Sequence, residues 1–135
     1  NFDLLLPNEK EARFALADQD SGIRQLGTNL FKNSKSQYLI LKIGDRGNFT
    51  FRKSAYHPRD FFHIDSLVKK FEDGLGAGDA LLAAASLALI ATKNITIASI
   101  LGNLAASLVC EAKGNNPIEA DKLIDRIKEI SKKNF

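Results

Sequence analysis

The stretch with the clearest chemistry is residues 73–86, which reads DGLGAGDALLAAAS. Three alternating glycines, Gly74, Gly76 and Gly78, precede the carboxylate of Asp79, and a run of small apolar residues follows. A glycine-rich approach to a helix exposes unsatisfied backbone N–H groups at the positive end of the helix dipole, where an anion binds well. The pattern predicts an anion-binding helix N-terminus that also carries an acid.

Two common phosphate loops are excluded. The chain has no G-x-x-x-x-G-K-[ST], and a G-x-G-x-x-G that starts at Gly74 would need glycine where Asp79 stands. A carboxylate at a helix N-terminus is favoured in its ionised form and can accept a proton from an attacking hydroxyl, as phosphoryl transfer requires. Aspartate is also a common stabilising residue in a first helical turn. The residues alone leave both roles open.

The elements that must position this motif begin with a short buried strand, Phe2–Leu6, and with a helix from Glu9 to about Asp18. A second, weaker helix is expected over Ser21–Phe31. The apolar run Tyr38–Ile43 predicts a central strand, and a turn at Gly44–Gly47 joins it to a hairpin partner. The hairpin partner is predicted over Asn48–Arg52, directly after this turn, and a further short strand is predicted over Phe61–Ile64.

Helices dominate the second part of the chain. Ala80–Ala91 is apolar on every side and predicts a helix buried in the core. A helical period from Ile97 to Ala112 stops at Gly114, and a last helix covers about Glu119–Lys132. This order predicts one α/β domain over residues 1–135, with helices packed on a mostly parallel sheet and with ligands at the strand ends.

Composition narrows the class of protein. The chain has 135 residues, of which 44% are hydrophobic and 26% charged, as in an ordinary globular domain. The net charge of +3 is spread out, so we expect no nucleic-acid partner. Cations of the last helix are expected to form a solvated face: Lys122, Arg126, Lys128, Lys132 and Lys133.

The single cysteine, Cys110, cannot form an internal disulfide, which favours a reducing, cytoplasmic location. The apolar block Ala80–Ala91 is shorter than the roughly 20 residues of a membrane span, so we expect no membrane partner. His57 and His63 lack further ligands at zinc spacing. Because the chain contains no methionine, we expect it to be a piece of a longer protein.

The 73–86 motif resembles the second signature of the ribokinase-like (PfkB) carbohydrate kinases, usually D-T-x-G-A-G-D followed by a long helix of small residues. Pro7–Ala12 resembles the N-x-x-E segment of the family, and Ile40–Gly47 resembles its T-x-G-x-x-G segment. Asn103–Ala106, with Gly114 after it, resembles the late helix on the nucleotide side. The order and approximate spacing agree with the C-terminal half of a family member.

The resemblance implies a three-layer α/β fold with helices on both faces of a mostly parallel sheet. It also implies an ATP-dependent sugar kinase in which Asp79 is the catalytic base. The backbone amides of Gly76, Ala77 and Gly78 would form the anion hole around the transferred phosphoryl group. It also assigns cofactor contacts to Asn8, Glu11, Lys42, Gly44, Gly47, Asn103 and Gly114. ATP and Mg²⁺ are the implied cofactors, with K⁺ as a further cation.

Within that implied site, Glu11 holds Mg²⁺ through water, and Asn8 and Glu11 together organise the metal ion and the phosphates. Asn8 and Glu11 also form a capping-box pattern, so a structural role is expected beside the metal role. Gly44 and Gly47 let the chain pass close to the nucleotide, and Asn103 lies near the adenine. Asp73 matches the acid that helps to hold a monovalent cation.

Two departures from the family pattern stand near the predicted site. Gly74 replaces the usual threonine after Asp73, and we expect this change to loosen the loop that sets the anion hole. Lys42 replaces the usual threonine before the glycine turn, where it either contacts nucleotide phosphate or faces solvent. The run from Asn103 to Gly114 also resembles heptose-phosphate kinase domains.

These features leave three hypotheses for the function. The first is a kinase for a sugar or sugar phosphate, the second is a kinase of the same superfamily for a nucleoside or vitamin, and the third is a non-catalytic nucleotide-binding or regulatory module. The expected partners are the nucleotide and the acceptor, with a second copy of the chain as a candidate partner in a homodimer.

Overall fold

The computed structural model describes residues 2–53 and 60–134. Its contacts divide the chain into two compact units, Asn1–Ser66 and Leu67–Phe135. The first unit contains the sheet, and the second is built from helices. That the two units together make a single domain stays a prediction.

The sheet of the first unit has four strands in the order β1 (Leu4–Leu5), β2 (Tyr38–Lys42), β3 (Asn48–Arg52) and β4 (Phe61–Ile64). β1 and β2 pair in parallel, whereas β2–β3 and β3–β4 pair antiparallel. The α/β class is confirmed, but the sheet is mixed and not mostly parallel. The physical reason is that only five residues separate β2 from β3 and eight separate β3 from β4, fewer than the dozen or more that a parallel crossover needs.

Two helices pack on this sheet, α1 (Glu9–Leu16) and α2 (Ile23–Ser34). Their apolar faces and the buried side of β2 and β3 form one core, which contains Ala12, Leu26, Leu30, Phe31, Leu39, Leu41, Ile43 and Phe51. α2 approaches β3 closely at Gly27, where an added Cβ would lie 2.3 Å from the ring of Phe51. β2 ends in one 3₁₀ turn, Gly44–Arg46, before β3 begins.

The second unit consists of α3 (Ala77–Thr92), α4 (Ile95–Cys110) and α5 (Ala120–Asn134). α3 and α4 pack closely because Gly102 faces α3, where an added Cβ would lie 3.0 Å from the carbonyl oxygen of Leu81. α4 starts at the side-chain cap of Asn94, whose Oδ1 accepts from the N–H groups of Thr96 and Ile97. This pair of helices holds the end of α3 on which Asp79 stands.

Two expectations about these helices are wrong. α3 is not buried on every side, since it buries Leu81, Ala85 and Ala88 against α4 but leaves Leu87 and Ile90 exposed. A helix that is apolar all round does not reveal from its sequence which faces have partners. On α5, Arg126 is not part of a solvated face, because its side chain is only 10% exposed in an ion pair. In the described parts of the chain, no helix has the length and apolar character needed to cross a bilayer.

Candidate functional site

The predicted site residues fall in both units. Those in the first unit are Asn8, Glu11, Lys42, Gly44 and Gly47, and those in the second are Asp73, Gly76, Ala77, Gly78, Asp79, Asn103 and Gly114. Within each unit they gather at helix and strand ends, except for Asn103, which lies within α4. The first unit offers a helix cap beside a turn, and the second offers the N-terminus of α3.

The glycine motif of the second unit forms the start of α3. Gly76 is the N-cap residue, in the left-handed conformation with φ +82°, and it provides no side-chain cap. The first regular helical bond runs from Ala80 N–H to the carbonyl of Gly76, at 3.0 Å. Among the described residues, the N–H groups of Gly76, Gly78 and Asp79 have no acceptor. The predicted anion hole therefore has backbone donors available at the positive end of a helix of 16 residues.

The amide of Ala77 differs from its neighbours in the predicted anion hole. Its N–H group donates to the carbonyl of Gly74 at 3.2 Å, so the turn before the helix already uses it. The amide of Asp79, which sequence reasoning did not select, has no acceptor among the described residues. The available donors are thus those of Gly76, Gly78 and Asp79, so the amide of Asp79 takes the place of the Ala77 amide in the set that the resemblance implies.

Asp79 lies in the first turn of α3 and is exposed. In the described parts of the chain, its carboxylate has no ion pair and accepts no hydrogen bond, so no internal partner competes for a proton from a ligand. It lines a cleft of about 640 Å³ whose other walls are mostly apolar. The side chains that line the cleft together with it include Ala80, Leu87, Leu101, Val109, Asn115, Pro117, Ile118 and Leu123.

Asn115 is a member of this site that sequence reasoning missed. A Cβ added at Gly76 would lie 2.3 Å from Asn115 Oδ1, so the amide side chain covers the glycine directly. Glycine at position 76 is therefore required by its left-handed conformation and by the room that Asn115 occupies. The signal in the sequence was the run Gly114–Pro117 after α4, which marks a turn but not its neighbour in space.

Asp73 organises the loop before α3. Its Oδ1 accepts from Leu75 N–H at 3.0 Å, and its Oδ2 accepts from Gly114 N–H at 3.3 Å. Gly114 has a φ of +77°, but it is not the predicted cap of the helix, because α4 already ends at Cys110 with Glu111 as its C-cap. Asp73 and Gly114 are thus in direct contact, and the carboxylate joins two loops. Its role toward a monovalent cation stays a prediction.

Asn103 lies in the middle of α4 and is 6% exposed. The residues that line the 640 Å³ cleft come from neighbouring positions of α4, Leu101 and Ala105, and do not include Asn103. Its proximity to adenine stays a prediction.

The first unit brings Asn8 and Lys42 together. Asn8 caps α1 in a capping box, because its Oδ1 accepts from Glu11 N–H and its own N–H donates to Glu11 Oε2, both at 2.8 Å. Asn8 also forms an isolated parallel bridge with Lys42, and Lys42 N–H donates to the carbonyl of Pro7 at 2.9 Å. The cap and the lysine therefore meet where β1 and β2 end, as expected for a ligand site of an α/β fold.

Glu11 retains capacity for a metal ion. The capping box uses Oε2, while Oε1 accepts no hydrogen bond from the described residues. Glu11 is exposed, so a water shell can stand between it and a cation. These features fit a carboxylate that holds Mg²⁺ through water, the usual way in which proteins hold this ion.

The two glycines of the turn after β2 differ. Gly44 has a φ of +66° and nothing within 4 Å of an added Cβ, whereas Gly47 has a φ of +88° and an added Cβ 2.0 Å from the carbonyl oxygen of Ile64. Between them, Arg46 reaches back to Glu9 of α1 at 2.9 Å. Gly47 is thus required by the strand beside it, and Gly44 is the open position of the turn.

A second cavity, of about 1090 Å³, lies between α2 and the β3–β4 pair, and none of the predicted site residues lines it. No group of three or more His, Cys, Asp or Glu side chains suitable for a metal occurs within the described ranges. His63 stacks on Phe49 at 4.7 Å, and its Nε2 is 2.7 Å from the carbonyl oxygen of Arg46. His57 lies outside the described residues.

Known proteins resemble this chain over most of its length. The model of the pfkB family carbohydrate kinases matches residues 1–121. The chain is 32% identical over 109 residues to the bifunctional protein HldE of a Nitratiruptor species, an alignment that covers 78% of the chain and 22% of that protein.

Solved structures share the fold. Phosphofructokinase-2 from Escherichia coli in complex with potassium superimposes with a TM-score of 0.82 at 18% identity over 97% of the chain and 42% of that structure. Arabidopsis thaliana ribokinase complexed with ribose and ATP gives 0.79 at 23% identity over 93% of the chain and 41% of that structure. The chain thus spans under half the length of these proteins. With the family match over most of its length, it belongs to the pfkB family of carbohydrate kinases.

Proposed function

We propose that this chain is the nucleotide-side, catalytic part of an ATP-dependent kinase that transfers the γ-phosphoryl group to a hydroxyl of a sugar or sugar phosphate. The observation that carries the proposal is the start of α3, where the exposed carboxylate of Asp79 stands beside the unused amides of Gly78 and Asp79. Membership of a carbohydrate kinase family supports the reaction class.

In the proposed reaction, the Asp79 carboxylate accepts the proton of the acceptor hydroxyl. At the same time, the hydroxyl oxygen of the acceptor forms a bond to the γ-phosphorus. The bond from that phosphorus to the bridging oxygen breaks, and ADP leaves with the electron pair. Charge on the phosphoryl oxygens is stabilised by the free N–H groups and the dipole of α3, which are already oriented before reaction. Positioning and charge stabilisation are the main contributions that phosphoryl transfer needs.

The residues of the first unit are proposed to serve the nucleotide. Bound Mg²⁺ would neutralise phosphate charge, and Glu11 Oε1 is the atom of this chain that would hold its water shell. Asn8 fixes the orientation of Glu11 through the capping box. Lys42 adds a cation beside Asn8, while Gly44 leaves the turn open on one side.

Two further proposals concern the cation and the acceptor. Asp73 is proposed to hold K⁺ or a similar ion, a proposal supported by the potassium complex of the phosphofructokinase-2 that shares the fold. The acceptor is proposed to be a sugar phosphate, and the similarity of residues 103–114 to heptose-phosphate kinase domains favours a heptose phosphate. Gly74, which replaces a threonine, is the observation that favours a non-catalytic nucleotide-binding module instead.

The test is calorimetric titration of the full-length protein with ATP–Mg²⁺, followed by a phosphoryl-transfer screen against free sugars, sugar phosphates, nucleosides and vitamins. The proposal expects ATP binding and transfer to a sugar or sugar phosphate. Transfer only to a nucleoside or vitamin would replace the acceptor class. ATP binding without transfer to any acceptor would support the non-catalytic module, and no ATP binding would refute the proposal.

A further inference from the structure

Residues 67–76, which lead into α3, form neither helix nor strand, so side chains and helix ends must fix their path. Lys69 N–H donates to Glu111 Oε1 at 2.8 Å. The N–H groups of Glu72 and Asp73 both donate to the carbonyl of Cys110, at 2.8 and 3.1 Å. The C-terminal end of α4 is therefore the anchor of this segment.

That anchor is itself held from α5. Arg126 binds Glu111 with two parallel hydrogen bonds, Nη1 to Oε1 at 3.1 Å and a shorter one from Nη2 to Oε2. The side chains of Arg126 and Glu111 are only 10% and 17% exposed. Glu129 joins this group, with Oε1 2.5 Å from Lys69 Nζ and Oε2 3.7 Å from Arg126 Nε. We call these four residues, Lys69, Glu111, Arg126 and Glu129, the clamp.

The clamp is connected to the start of α3 by a short series of hydrogen bonds and peptide links. Glu111 follows Cys110, whose carbonyl fixes Glu72 and Asp73. Asp73 in turn accepts from Leu75 N–H, and Leu75 precedes the left-handed Gly76 at which the helix begins. Each step in this series is a hydrogen bond or a single peptide link. A shift of Glu111 is therefore transmitted to the backbone that presents the free amides.

We propose that Arg126 is a positioning residue for phosphoryl transfer, which acts through Glu111 on residues 69–76 and so sets the place of the Gly78 and Asp79 amides. This inference rests on the proposed function, because those amides are its anion hole. A misplacement of about 1 Å in a catalytic constellation can cost roughly a hundredfold in rate, so a distant anchor can matter to turnover. Arginine suits the position because its planar fork matches a carboxylate at two points, which lysine cannot do.

The first experiment compares Arg126→Met and Arg126→Lys in the full-length protein, with Lys128→Met as a matched control. Lys128 lies on the same helix but is exposed. At saturating ATP and acceptor, well below the melting temperature, we expect Arg126→Met to lower kcat at least tenfold with KM for ATP within twofold of wild type. The kcat of Arg126→Lys should lie between the values for Arg126→Met and wild type. The kcat of Lys128→Met should equal that of wild type. A lower melting temperature with unchanged kcat per folded molecule would overturn the proposal.

The second experiment does not depend on kinase activity. Hydrogen exchange at the amides of Glu72 and Asp73 should become at least tenfold faster in Arg126→Met and stay unchanged in Lys128→Met. If Arg126→Met does not fold, Glu111→Gln removes the charge at nearly constant size and should accelerate the same amides. Unchanged exchange in a folded variant would refute the positioning role. Accelerated exchange in a protein that transfers no phosphoryl group would refute the proposed function alone.

Discussion

The glycines that bound the turn after β2 offer a matched pair of substitutions, Gly44→Ala and Gly47→Ala. Both residues have positive φ, +66° and +88°, so alanine is strained at either position. They differ in surroundings, because an added Cβ meets nothing within 4 Å at Gly44 but lies 2.0 Å from the carbonyl oxygen of Ile64 at Gly47. The pair therefore separates backbone strain from steric overlap.

The magnitudes follow from these contacts. At Gly44, an alanine in the left-handed conformation destabilises the folded state by roughly 1–2 kcal/mol. About 0.4–1 kcal/mol of this is offset because alanine lowers the conformational entropy of the unfolded chain. At Gly47, ψ is −130°, so backbone strain of about 1–3 kcal/mol applies. The end of β4 must also move, so that one or two backbone hydrogen bonds between Asn48 and Ile64 are lost, at about 0.5–1.5 kcal/mol each. We expect a loss of about 1 kcal/mol for Gly44→Ala and about 2–5 kcal/mol for Gly47→Ala.

Urea unfolding of the two variants and wild type, followed by circular dichroism, measures both losses. We expect Gly47→Ala to be the more destabilised variant by at least about 1 kcal/mol, the lower end of the difference given by these ranges. Equal losses, or a larger loss for Gly44→Ala, would show that the overlap with Ile64 does not govern the turn. Binding of ATP–Mg²⁺ to folded Gly44→Ala then reports whether the open glycine also serves the nucleotide.

Further predictions concern the clamp, the cysteine and the helix cap. The two hydrogen bonds from Arg126 lower the pKa of Glu111 below the ordinary 4.5, so the pair stabilises the fold above that pH and its contribution disappears as pH falls through the lowered value. Urea unfolding should therefore show a loss of about 1–3 kcal/mol for Arg126→Met at pH 7, and a difference that narrows steadily below pH 4.5. Burial is the main cause that raises the pKa of the Cys110 thiol, and the negative charges of Glu111 and Asp73 raise it further. Iodoacetamide at pH 8 should therefore modify Cys110 more slowly than a cysteine in an unfolded peptide. An equal rate of modification would contradict this prediction. Asn8→Ala should destabilise the fold by about 0.5–2 kcal/mol through loss of the cap, whereas Asn8→Asp should retain most of the stability, and equal losses in thermal unfolding would refute the capping role.

Local structure could be predicted well from the sequence where the residues of a strand are bordered by residues that mark its ends. β3 and β4 have the predicted bounds, Asn48–Arg52 and Phe61–Ile64, because a turn and a run of aromatic residues mark them. The family match confirms the recognition that started from residues 73–86. α3 begins at Ala77, three residues before the predicted Ala80, because glycine within a helix opposes its intrinsic propensity and only the folded context places Gly78 in the first turn.

Features that depend on distant partners were not accessible from the sequence. The Glu111–Arg126 pair spans 15 positions in the chain, and an arginine on an amphipathic helix looks the same whether it is solvated or paired. The proximity of Asn115 to Gly76 depends on the path of the loop after α4. The use of the Ala77 amide by Gly74 depends on one turn whose conformation the glycines leave undetermined.

The most direct test of the central claim is the single-turnover rate of phosphoryl transfer in Asp79→Asn, measured in the full-length protein with Asp121→Asn as control. Asp121 also lies in the first turn of a helix, α5, but outside the candidate site. Loss of a general base should slow transfer by about 10²–10⁴-fold, while ATP–Mg²⁺ affinity stays within a few-fold of wild type and Asp121→Asn remains fully active. Transfer at the wild-type rate in Asp79→Asn would contradict the account.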